Sequence, residues 1–294
     1  MTERDLAPRT VGELLDAAFY VYRRGFFRLV LVALIVSVPA IVVAALFADD
    51  AAAALRSYWA ALTDNIARPR NDDPLAAFQR TLDVATKMQG VALLMGALQA
   101  FERAGGVVTM SVVAGAALSR EAMPSVARIF RESLPRLPAA VMAQFLLDHV
   151  GGCLACCFPL SIIFGVMASC TTASIARDRG DIEKSARKAP AWIRWAVLPF
   201  AAALDGAVRS FSLTWHGPTV ARGTAFLFIL LTFVGIADGV AMGLGAYFAG
   251  SSGGWFWAQH VSEALVLPAL GLAMSFWYAD LRARREGADL EPAT

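Results

Sequence analysis

Seven ionisable side chains interrupt otherwise apolar stretches of this chain: Glu102, Arg103, Asp148, His149, Asp238, His260 and Glu263. In a lipid-embedded helix a charged group costs about 2.5–3.5 kcal/mol at the centre on insertion scales. Such groups persist where they line a polar cavity, pair with one another or reach an interface. Glu102, Asp148, Asp238 and Glu263 could bind cations or protons, with Arg103 as their partner or as an anion contact. The competing expectation is mutual pairing that fixes helix packing. His149, Cys153, Cys156 and Cys157 fall at helical spacings that turn an imidazole and two thiols towards one face, the donor types of a soft-metal site. That set lacks a fourth ligand, and small cysteines, Cys170 included, serve membrane helices as packing. No metal or other cofactor is therefore expected.

Other chemistries find no support. Gly151-Gly152 and Gly250-Ser251-Ser252-Gly253-Gly254 lack the lysine and the strand-to-helix setting of a phosphate loop. No nucleophile elbow or kinase pattern occurs, so no catalytic residue is assigned and the reading leans away from an enzyme. The basic residues are dispersed among loops and form no stripe for nucleic acid.

The elements that must position these side chains are membrane spans. Apolar residues make up 57% of the chain and charged residues 17%, with a mean hydropathy of +0.56, which exceeds the usual balance of a soluble domain. The runs 29–47, 223–248 and 257–279 are each long enough to cross about 30 Å of hydrocarbon. The run 89–118 is broken only by Glu102 and Arg103. The block 138–176 is too long for one perpendicular helix and contains Pro159, so it divides into spans at 138–157 and 160–176. One long kinked or re-entrant element over 138–176 is the alternative, with five spans in all. The expected fold is all-α, a polytopic integral membrane bundle of about six transmembrane helices with amphipathic interfacial helices, forming a single membrane domain over 1–294. The apolar run 29–47 exceeds a signal-peptide core of about 7–15 residues and reads as a retained first span.

Basic residues resist translocation and collect in cytoplasmic loops. In the six-span arrangement, twenty Lys and Arg lie at the N-terminus, in 119–137, in 177–222 and after the last span, against five on the other side. Both termini are then cytoplasmic. In the N-terminal segment 1–28, Thr10 and Glu13 form a capping-box pattern, and Val11, Leu14, Leu15, Ala18, Phe19 and Tyr22 follow at helical spacing. This predicts an amphipathic helix on the membrane surface, joined to the first span at Gly25. In the extracytoplasmic segment 49–88, Leu55, Trp59, Leu62 and Ile66 form one helical stripe, the 68–73 stretch breaks it, and Pro74 suits the first turn of a second helix. These two helices are expected to cap the bundle or lie on the outer leaflet. The 177–222 segment, with Pro190 and Pro199, is placed at the cytoplasmic interface, and a seventh, broken membrane element over 189–217 is the alternative. Gly235, Gly239 and Gly243 recur every fourth residue, a spacing that admits a close neighbour within the monomer or, second, a homo-oligomer or partner subunit.

Three stretches carry a family resemblance. Thr10-Val11-Gly12-Glu13-Leu14-Leu15-Asp16-Ala17-Ala18-Phe19 with Tyr22-Arg23-Arg24 and Phe27, and the closing Tyr278-Ala279-Asp280-Leu281-Arg282-Ala283-Arg284 with Glu286-Gly287-Ala288-Asp289-Leu290, resemble the two ends of the bacterial glycerophosphoryl diester phosphodiesterase membrane-domain family. Asp205-Gly206, Ala207, Arg209-Ser210, Leu213-Thr214 and Gly217 resemble its middle motif, with Asp205 and Phe211 where the family has Glu and Trp. The resemblance implies an all-helical protein of the bacterial inner membrane. The phosphodiesterase barrel fused to some members is not expected here, so the activity is not carried over. Asp280, Arg282, Arg284 and Glu286 sit where the last span leaves the membrane, in the tail 280–294, as an anchor in the anionic leaflet or a docking surface. The leading expectation is a non-enzymatic protein, bathed in the lipid bilayer, that scaffolds or anchors a membrane or cytoplasmic protein partner through its cytoplasmic face. The alternative is a transporter, channel or lipid-handling protein that uses the intramembrane carboxylates.

Overall fold

The computed structural model describes residues 10–67, 74–154, 158–178, 180–249 and 254–286, and every regular element among them is a helix. The first, α1 (Val11–Ala67), opens as the sequence requires. The Glu13 amide donates to Thr10 Oγ1 at 3.2 Å and the Thr10 amide donates to Glu13 Oε2 at 2.6 Å, a reciprocal cap that satisfies two otherwise orphaned donors. It then runs through Gly25 without the expected joint, because a Cβ there would stand 2.6 Å from Met123 Sδ. Gly25 serves a close contact and makes no hinge. At 57 residues, α1 is about 85 Å long, far more than a bilayer needs.

Helix α2 (Pro74–Leu118) is similarly long at 45 residues. The two helices expected over 49–88 are thus continuations of the first two spans. They are not separate caps, and the 68–73 break lies outside the described residues. At the end of α2 the Glu121 amide donates to Ala116 O (2.8 Å) and the Arg120 amide to Ala117 O (3.2 Å). With Arg120 at φ 57°, this is a Schellman ending that places an arginine where glycine is usual.

Short α3 (Val126–Ser133), capped by Ser125, and a 3-10 turn at Leu134–Arg136 lead into α4 (Leu137–Leu154). On α3 the exposed Arg128 donates to Glu132 (2.8 Å) and Glu121 (3.1 Å), which raise its affinity for its proton. After α5 (Phe158–Ala168) the chain turns at Ser169 and Cys170 into α6 (Thr171–Arg177), followed by α7 (Asp181–Ala186). The division expected at Pro159 falls between α4 and α5, with 155–157 outside the described residues. Helix α8 (Ala191–Thr214) begins after Pro190 and continues through Pro199. Finally α9 (Gly217–Ala249) and α10 (Gly254–Glu286) form a hairpin.

Among the described residues, six helical segments are long and apolar enough to cross a membrane: Val11–Phe47, Leu93–Leu118, Leu160–Arg177, Ala196–Thr214, Gly217–Ala241 and Ala258–Arg285. The chain is a multi-pass membrane protein. The segment 177–222, expected at the interface, contains one of the six, as the alternative over 189–217 has it, because Pro199 lies within α8 without ending it, whereas the span expected at 138–157, where α4 lies, is not among them. The core lies where α10 is embraced by α1, α2, α6 and α9, around Trp277, Tyr278, Phe226, Met110 and Leu29. Trp277 stacks on Phe226 at 4.9 Å and its Nε1–H donates to Ser169 Oγ. Helix α9 instead exposes Phe228, Leu231, Ile236, Val240 and Leu244, an apolar face suited to acyl chains.

Candidate functional site

Residues 102 and 103 on α2, 148 on α4, 238 on α9 and 260 and 263 on α10 converge, although more than 150 positions of sequence separate the first from the last. Geometry begins with α2 against α10. A Cβ on Gly271 would stand 2.7 Å from the Gly106 carbonyl oxygen and 2.9 Å from Met110, and one on Gly106 would press on Leu267. The two backbones meet so closely that only glycine fits. Ser111 and Ser275 join their hydroxyls at 2.8 Å below this contact.

Above it lie His260 and Glu263, one helical turn apart on the same face of α10, opposite Glu102 of α2. All three are fully or almost fully buried, at 0% exposure for Glu102 and His260 and 3% for Glu263. His260 Nδ1–H donates to Glu102 Oε2. Glu102 and Glu263 turn their carboxyls towards each other, and Glu102 Oε1 and both oxygens of Glu263 meet no donor beyond that mutual contact. The nearest cation to Glu263 is Arg103, whose guanidinium stands 3.9 Å from Oε1 and 4.0 Å from Asp148 Oδ2, beyond hydrogen-bond length. Asp148 also accepts from Gln144 Nε2 (2.9 Å), and Thr172 donates to the same glutamine. Asp238 reaches in from α9 beside Ser262, with Oδ1 buried and unbonded, and Ser37 of α1 adjoins Glu102. One arginine and one imidazole therefore face four carboxyl groups.

His149 does not join this group. Its Nδ1–H donates to Phe145 O at 2.7 Å, and its ring lies against Gly96 of α2. The thiol set proposed for it cannot be placed, since Cys156 and Cys157 lie outside the described residues and so does the side chain of Cys153. Cys170 is buried and unbridged, and its amide donates to Ser210 Oγ. Gly235, Gly239 and Gly243 receive no neighbour among the described residues: a Cβ on any of them would meet none of their atoms within 4 Å. The monomer's close approach is made by Gly106 and Gly271 instead. These were missed because no four-residue repeat marks them.

At the other end of the bundle the motif residues are engaged internally. Asp178, just past α6, accepts from Tyr278 Oη and from Arg282 (3.1 Å), with Arg209 Nε 3.6 Å away. Asp280, 7% exposed, accepts at Oδ2 from Arg222 and Arg284, both at 2.8 Å. The Arg222 guanidinium also lies 5.1 Å over the Trp277 ring. Asp205 caps α7 by accepting from the amides of Ile182 and Glu183. Gly206 lies against the Thr171 carbonyl, where a Cβ would be 3.0 Å away. Ser210 donates to Met167 O at 2.5 Å, and Thr214 to Ser210 O at 2.7 Å. Glu286 is the last helical residue, and 287–294 lie outside the described residues. The expected anchor or docking surface is, in Asp280 and Arg282, a set of inward helix-to-helix ties.

No family model, curated protein or solved structure matches the chain.

Proposed function

We propose that this chain is a multi-pass protein of the bacterial inner membrane that handles a small cation within the bilayer, as a transporter or channel. The observation that supports this reading is the charge imbalance around Glu102. Four carboxyl groups, one from each of four helices, face one arginine and one histidine, and three oxygens of Glu102 and Glu263 are buried with no donor beyond the contact between those two carboxyls. Groups that served only to fix packing would be mutually satisfied, because an unmatched buried polar atom costs about 1–3 kcal/mol or more. A cation or protons would supply the missing charge. Purified protein in proteoliposomes should pass protons or a metal cation, and joint neutralisation of Glu102, Asp148, Asp238 and Glu263 should remove that flux. Flux that survives all four substitutions would eliminate the reading.

Six spans put both termini on one side, and the arginines at the entry to the first apolar run (Arg23, Arg24, Arg28) and at the end of the last (Arg282, Arg284, Arg285) favour the cytoplasm for it, which reporter fusions at both ends would test. The resemblance of the three motif stretches favours kinship with the phosphodiesterase-associated membrane domains, as a membrane unit without the hydrolase.

A second reading, a non-enzymatic anchor for a protein partner, draws on an open cavity of about 610 Å³ at the motif end. Tyr20 and Arg24 of α1, Arg120, Glu121 and Met123 after α2, and Phe276 of α10 help to line it. A stoichiometric protein that co-purifies from native membranes and is lost on Arg24→Glu would favour this second reading over the first.

A further inference from the structure

We infer that Glu102, His260 and Glu263 form a binding site for one divalent first-row transition-metal cation, with Zn2+ as the reference ion. This rests on the cation-handling reading and narrows it to an ion class. The donor atoms of the three residues lie within 4.8 Å of one another. A tetrahedral ion bound at about 2.0–2.1 Å needs donors about 3.4 Å apart, so inward rotamer adjustments of roughly an ångström complete the cradle. The Gly106 and Gly271 contact sets the spacing of α2 and α10 about one turn below Glu102 and two below Glu263.

Donor chemistry selects the ion. One imidazole nitrogen with two carboxylates suits Zn2+, Mn2+ or Fe2+, whereas Ca2+ demands six to eight oxygens and Mg2+ retains its waters. Charge selects it too: two carboxylates and a neutral imidazole carry two negative charges, which a divalent ion cancels, leaving the group neutral inside a low-dielectric bundle. Arg103, about one-third exposed at the margin of the group, stands between Glu263 at 3.9 Å and Asp148 at 4.0 Å, and the Asp148 carboxylate offsets its charge. Three buried oxygens of Glu102 and Glu263 have only the neighbouring carboxyl for company, with no N–H or hydroxyl donor, which is the arrangement a shared cation would satisfy. The binding step is a displacement: as the metal takes His260 Nδ1 the ring proton moves to Nε2, which keeps the imidazole neutral, and any proton on either carboxyl leaves to solvent, so that both bind ionised.

The test uses the full chain in detergent, stripped with chelator, desalted and titrated with Zn2+ alone or with about hundredfold excess Ca2+. Elemental analysis and calorimetry should give one Zn2+ per chain that Ca2+ does not displace. His260→Ala and Glu263→Gln should each weaken binding by about tenfold or more, while His149→Ala binds as the wild type does. X-ray absorption of the wild-type complex should show a mixed nitrogen and oxygen shell, a readout that does not depend on any variant folding. Substoichiometric zinc in the wild type, or stoichiometric zinc unchanged by His260→Ala, overturns the site. Proton flux that depends on Glu102 and Glu263 in a protein that binds no divalent metal would overturn this inference and leave the cation-handling reading standing. Stoichiometric zinc in a protein that passes no ion would do the reverse.

Discussion

Helix α10 carries two groups of ionisable side chains roughly 25 Å apart, and they differ in how they are satisfied. Around Tyr278, Asp280 and Arg282 every carboxylate meets donors at hydrogen-bond distance: Asp178 has Tyr278 and Arg282, and Asp280 has Arg222 and Arg284. Around His260 and Glu263 carboxylates outnumber cations, and buried oxygens have only the neighbouring carboxyl for company. The first arrangement ties α6, α8, α9 and α10 together at one end of the bundle. The second keeps a costly vacancy of charge in its interior. The same residue types thus serve cohesion in one place and ligand affinity in the other, and partner count separates them where residue identity does not.

The sharpest way to break this contrast is to remove the hub of the satisfied group. Asp178→Ala strands Tyr278 and Arg282 together, and should cost about 3 kcal/mol, read as a large fall in the thermal midpoint in detergent. A midpoint that does not move would mean the network is ornamental. Ser210→Ala comes next. Its buried hydroxyl both donates to Met167 O and accepts from the Cys170 amide, so a loss of about 1–3 kcal/mol is expected by the same measurement.

Glu102→Gln and Glu263→Gln should behave in the opposite sense, with a midpoint within about 1 kcal/mol of the parent or above it, since each removes one of several crowded carboxyls that are only partly hydrogen-bonded and can keep an accepting oxygen in place. Cation binding or flux should fall sharply in both. If instead either variant unfolded as readily as Asp178→Ala, the two regions would be alike and the upper one a packing device. The smallest effect is expected for Gly239→Leu, whose side chain would enter open space on α9; its midpoint should be unchanged, and a marked loss would reveal a neighbour outside the monomer.

The sequence makes local devices plain and distant ones obscure. Thr10 and Glu13 are three residues apart, so their cap is read directly. Apolar runs mark where a helix meets lipid, but they do not mark where the helix ends: Asp49 and Asp50 interrupt hydropathy, while the alanine-rich stretch beyond them favours helix and α1 continues to Ala67. Pro190 and Pro199 together suggest a broken segment, yet one caps α8 and the other is absorbed within it. Glu102, His260 and Glu263 each stood out as an ionisable residue in an apolar run. Their convergence did not, because it depends on Gly106 and Gly271, whose role appears only once two helices are laid side by side.

The uninterrupted length of α2 has a mechanical consequence. Gly106 and Gly271 mark the closest approach of α2 to α10, and from there α2 runs unbroken back to Pro74, an arm of roughly 48 Å. A rocking motion of about 10° at that point would carry the far end about 8 Å sideways. A small readjustment of Glu102 on gaining or losing its ion would be displayed, several-fold enlarged, well outside the membrane.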